Sequence, residues 1–87
     1  MQEEKISLYP NPSRNYFVVK FSSDDPETYS MKLYDLNGRL ILEKRSITPG
    51  KEIDISHLRE GIYLVNLTTT GEDSPSTVRQ LKLKVGN

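Results

Sequence analysis

Apolar and polar residues alternate with a period of two in one short run after another along this chain, the pattern of pleated strands that bury one face. Ile6 and Leu8 begin it and stop at Tyr9-Pro10-Asn11-Pro12, where two prolines remove two backbone donors. Residues 16–21 follow, with Phe17, Val19 and Phe21 on one face and Tyr16, Val18 and Lys20 on the other. In residues 29–35, Tyr29, Met31 and Leu33 alternate with Ser30, Lys32 and Tyr34. Asn37-Gly38 then predicts a two-residue hairpin turn of type I′ into an antiparallel strand over residues 39–44. Pro49-Gly50 marks a turn within residues 45–51, and residues 52–56 alternate again with Ile53 and Ile55 inward.

Residues 58–68 are read as a turn that feeds directly into the central strand. Tyr63, Val65 and Leu67 share one face, Ile62 and Leu64 share the other, and both faces are expected to be buried. The spacing of Leu58, Gly61 and Tyr63 predicts a tyrosine corner, whose hydroxyl reaches back to upstream backbone. A last strand, residues 77–85, sets Lys82 and Lys84 against Leu81, Leu83 and Val85. Residues 22–27 and 69–76 are polar and rich in turn formers, and read as loops.

About seven short antiparallel strands, punctuated by Pro and Gly, predict an all-β sandwich with Greek-key connections; a small barrel is the alternative. No window holds an apolar face at helical spacing. The predicted inward set is Phe17, Val19, Phe21, Met31, Leu33, Leu40, Leu42, Ile53, Ile55, Leu58, Tyr63, Val65, Leu67, Leu81 and Leu83.

Length and charge narrow the function. Eighty-seven residues hold one domain with a thin core, placed at residues 6–87 with residues 1–5 as a linker or an added start. Twelve basic and twelve acidic residues leave no net field toward nucleic acid or an anionic membrane. No run approaches the ~20 apolar residues of a membrane span, so no membrane insertion is expected. Without cysteine there are neither disulfides nor thiolate metal sites, which suits cytosol and periplasm alike.

Candidate chemistry is sparse. Asp54, Ser56 and His57 gather an acid, a hydroxyl and an imidazole, but Asp54 and Ser56 fall on the outer face of one strand while His57 begins a turn, so the set makes a poor triad. Asp35-Leu36-Asn37-Gly38 lacks the further ligands of a calcium loop, and Asp24-Asp25-Pro26-Glu27 reads as a solvated charge run. No phosphate loop or histidine pair is present. The reading is a non-catalytic chain without cofactor or metal.

Three separated motifs nevertheless stand in fixed order: Leu8-Tyr9-Pro10-Asn11-Pro12, then Leu33-Tyr34-Asp35-Leu36-Asn37-Gly38-Arg39, then Leu58-Arg59-Glu60-Gly61-Ile62-Tyr63. Together they resemble the type A C-terminal sorting domains of the type IX secretion system. The resemblance runs from about Ile6 to Val85, with Tyr9, Pro10, Asn11, Pro12, Asp35, Gly38, Leu58, Gly61 and Tyr63 as its motif positions. It implies an Ig-like sandwich that acts as a secretion signal on an N-terminal cargo domain. It also implies passage through the periplasm, recognition by an outer-membrane translocon, and removal at the cell surface by a sortase-like peptidase. Lys82, Leu83, Lys84 and Val85 are similar to the family's terminal strand and are the candidates for translocon recognition, since an edge strand can pair with a receptor. An Ig-like or fibronectin-like accessory or adhesion module, or a glycan-binding module, is the alternative; Tyr16 and Tyr34 are the aromatics available to the last of these.

Overall fold

The structure, a computed structural model, describes residues 6–21, 28–69 and 77–86. Alternating hydrophobicity becomes seven strands: β1 (Ile6–Tyr9), β2 (Tyr16–Phe21), β3 (Tyr29–Tyr34), β4 (Leu40–Ile47), β5 (Ile53–Asp54), β6 (Gly61–Thr69) and β7 (Thr77–Val85). They form two sheets, ordered β1-β2-β5 and β4-β3-β6-β7, with every strand pair antiparallel. The non-consecutive neighbours β2–β5 and β3–β6 are the crossovers of a Greek key. The chain is therefore a three-plus-four sandwich of Ig-like architecture rather than a barrel.

Between the sheets lies one core. Phe17 from β2, Leu33 from β3, Val65 and Leu67 from β6, Leu83 from β7 and Ile55 beside β5 are fully excluded from solvent. Each such side chain contributes about 1.5–3 kcal/mol on burial, against the conformational entropy of ordering it. Leu42, Leu58 and Leu81 pack at the core's margin.

Four expectations need correction. The β3–β4 turn is not centred on Asn37-Gly38. Gly38 N–H donates to Asp35 C=O at 3.0 Å, which centres the turn on Leu36 and Asn37, and only Gly38, at φ 85°, is left-handed. Asp35 Oδ1 decides this geometry by accepting the N–H groups of both Asn37 and Arg39 at 2.9 Å.

Leu40 is not inward but 46% exposed. Leu33 pairs with Leu42 while Tyr34 pairs with Leu40, so Ile41 is an extra residue and Leu40 is turned to the outer face. A second irregularity follows, because Met31 pairs with Lys44 but Tyr29 with Ile47. Ser46, at φ 54°, lies in that bulge, which extends β4 past Lys44 and returns Ile47 to the core.

The outer face of β6 is only half-buried at Ile62 and Leu64, since one sheet face meets the core and the other meets solvent. Val18, placed on the outer face of β2 opposite Tyr9, is itself buried, as are Leu8, Tyr29 and Val85. The acidic run at residues 24–27 lies outside the described residues.

Candidate functional site

The three motif segments occupy structurally decisive places. After Tyr9 the chain leaves the three-stranded sheet, and Pro10 and Pro12, which have no N–H to donate, carry it across to the outer edge of β7. Both Tyr9-Pro10 and Asn11-Pro12 peptide bonds are cis. Asn11 then uses its side-chain amide as a strand uses its backbone. Its Nδ2 donates to Lys82 C=O at 3.2 Å, and its Oδ1 accepts Lys84 N–H at 3.0 Å.

Ser13 completes the strap with true backbone pairing, in a parallel bridge to Val85. Ser13 N–H donates to Lys84 C=O at 2.8 Å, and Gly86 N–H donates to Ser13 C=O at 2.7 Å. The Ser13 hydroxyl, fully buried, donates to Pro10 C=O. Gly86 is left-handed at φ 108°, and a Cβ there would meet the Glu60 side chain at 2.7 Å, so glycine is what fits. Beside the strap lies a groove of about 410 Å³ lined by Pro10, Pro12, Arg14, Asn15, Tyr16 and Gly86.

The second and third motifs fix turns. Asp35 and Gly38 make the β3–β4 turn described above. Tyr63 forms the tyrosine corner, its hydroxyl donating to Arg59 C=O at 2.8 Å. Leu58 N–H donates to Ile55 C=O at 3.0 Å, closing the preceding turn, and Gly61 opens β6 at φ 156°.

The four recognition candidates divide by alternation. Leu83 and Val85 are buried at 0% and 3% exposure and help build the core; Lys82 and Lys84 are exposed on the outer face. The strap occupies Lys82 C=O and both backbone groups of Lys84, so along this stretch the β7 edge is already paired. Sequence reasoning missed this partnership and with it Ser13 and Gly86. A serine directly after Pro-Asn-Pro, and a glycine directly after the last alternating residue, were the only local signals.

Asp54, Ser56 and His57 are exposed. Ser56 donates both its N–H, at 2.9 Å, and its hydroxyl, at 2.7 Å, to Asp54 Oδ1. These bonds hold the Asp54 carboxyl below its ordinary value, helped by the nearby charges of His57 and Lys44. The hydroxyl is thus directed to the acid rather than to an imidazole base, which is a turn and not a nucleophile.

Comparison with known proteins decides the family. The family described as secretion system C-terminal sorting domain matches residues 7–81. The chain belongs to that family. Its region is also 36% identical over 78 residues to beta-agarase D of Zobellia galactanivorans, a match covering 88% of this chain and 14% of that protein. The sorting domain is accordingly the type IX C-terminal secretion signal of a cargo protein, and the family's role is that of a non-catalytic signal. Export to the cell surface or beyond follows from the same assignment, which favours the secretion signal over the accessory-module alternative.

Proposed function

We propose that the folded sorting domain is recognised in the periplasm by an outer-membrane translocon, at the surface where the Asn11–Ser13 strap and β7 meet, and that a sortase-like peptidase then removes it from its N-terminal cargo domain. The observation that carries this reading is the pair of bonds from Asn11 to Lys82 and Lys84. They join the opening motif to the terminal strand, so the two signature segments make one surface only when the domain is folded.

Lys82 and Lys84 are the side chains that this surface offers to a receptor. The paired edge argues for recognition through side chains rather than through an added strand, because the outward backbone groups from Lys82 C=O to Gly86 N–H are satisfied. The protein as a whole is proposed to be a larger secreted cargo, with any activity residing outside residues 6–87.

The test is a periplasm-directed reporter fused to residues 6–87 in a host carrying the secretion system. Export to the surface or medium that depends on both the domain and the translocon is the expected result. Equal export without the domain, or in a translocon deletion, would sink the reading.

A further inference from the structure

The strap and β7 run in the same direction. Ser13 bridges Val85 in parallel, and Asn11 spans Lys82 and Lys84 one step earlier on both segments. The chain that leads back toward the N-terminus therefore leaves this pair at one end, beside Lys82, and the chain that follows β7 leaves it at the other, at Gly86. A pull applied between the two ends of the domain acts along the paired segments in opposite directions. Their hydrogen bonds are loaded in shear.

Four bonds resist that shear together, the two made by the Asn11 side chain and the two made by the Ser13 backbone. Bonds loaded side by side must break at once, whereas bonds loaded in series break singly, and each alone is weak. Neither segment can slide away by itself. Leu83 and Val85 are buried in the core, and just past the strap Asn15 C=O accepts Ile55 N–H at 2.9 Å. On its other side β7 is paired with β6 over nine positions, from Gly61↔Val85 to Thr69↔Thr77. The strap is thus the weaker of the two seams of β7, and it sets the force at which the domain gives way.

We propose that the Asn11–Ser13 strap is a mechanical clasp, which keeps the sorting domain folded when it is pulled between its N-terminal attachment and β7. The source of such a pull rests on the functional reading above. A receptor that holds Lys82 and Lys84 while the attached cargo is drawn across the outer membrane strains the domain along this line. The clasp itself belongs to the fold and is measured without the export machinery.

The experiment stretches single molecules of the whole 87-residue chain between two carrier domains. In the first arrangement the carriers are joined to the two ends of the chain. In the second, one carrier is joined to the C-terminal end and the other through Asn15→Cys, an exposed position in a chain with no other cysteine. Asn15 and Gly86 lie at the same end of the paired segments, lining one groove, so this pull unzips the strap from β7 bond by bond. Asn11→Ala is stretched in both arrangements, and its melting curve establishes that it folds.

The parental chain should unfold end to end at a force about twofold or more above that of the unzipping arrangement, since its bonds then fail together. Asn11→Ala should unfold about tenfold faster than the parent when held end to end at the same force, as the loss of two bonds predicts, and change little when unzipped. Equal forces for the parent in the two arrangements overturn the proposal, whether or not Asn11→Ala folds. So does a folded Asn11→Ala chain that resists end-to-end stretching as the parent does. Equal weakening of that variant in both arrangements also overturns it, because the strap would then supply stability alone. A domain that shows the clasp yet fails to direct export contradicts the functional reading and leaves the clasp in place.

Discussion

The side-chain oxygen of Asn11 accepts the backbone N–H of Lys84 at 3.0 Å, joining residues 73 positions apart in the chain. The same amide donates to Lys82 C=O, so one side chain supplies both bonds that an additional strand residue would have made. Asn11→Ala removes both. Each exposed bond is worth about 0.5–1.5 kcal/mol, so the variant should lose about 1–3 kcal/mol in urea denaturation, with an unchanged slope. A midpoint equal to that of the parent would show that the strap holds without Asn11.

Tyr63→Phe tests the corner on its own. The ring stays in place and only the 2.8 Å bond to Arg59 C=O is lost, so stability should fall by about 0.5–1.5 kcal/mol. An unaltered melting temperature would reduce Tyr63 to a packing residue.

Tyr29→Phe should behave in the opposite way. Tyr29 is 1% exposed, packs edge-on to Phe21 with ring centroids 5.7 Å apart, and its hydroxyl has no hydrogen-bond partner among the described residues. Removing an unpaired buried hydroxyl costs no bond, so thermal stability should be equal or higher. Burial also pushes the Tyr29 phenol up from 10.0 to about 12. Because the folded state holds this proton more tightly than the unfolded one, its contribution is complete below pH 10 and is lost as pH rises through 12, at up to about 1.4 kcal/mol per pH unit. Between those values the parent should lose stability faster with pH than Tyr29→Phe does; parallel alkaline curves would contradict the assignment.

Gly38 is held at φ 85° with open space where a Cβ would lie, so the cost of substitution there is backbone strain alone. Gly38→Val should destabilise by about 1–3 kcal/mol, and Gly38→Asn by less, because Asn tolerates the left-handed region. Equal midpoints for the two variants would argue against a strained turn.

What the sequence disclosed and what it withheld divide along one physical line. Period-two alternation placed the seven strands, and local spacing placed the tyrosine corner, because both depend on residues close together in the chain. The bulges at Ile41 and Ser46 were hidden, since an extra residue in β4 shows only against its partner β3; hence Leu40 was misplaced and Ile47 missed. At the candidate site, the Tyr9-Pro10-Asn11-Pro12 motif was conspicuous, but its partner was not. No local rule pairs an asparagine with backbone more than seventy residues away, and this contact converts an open edge strand into a covered one.

The central claim is that a folded surface uniting the strap with β7 is what the export machinery recognises. Lys82→Glu with Lys84→Glu addresses it most directly, because both side chains are exposed, and surface substitutions usually change stability by about 0.5 kcal/mol or less. The deciding measurement is the fraction of fused reporter that reaches the cell surface, taken together with the melting temperature of the same variant. The account predicts a folded double variant whose reporter is retained in the periplasm; a folded double variant exported as efficiently as the parent would contradict it.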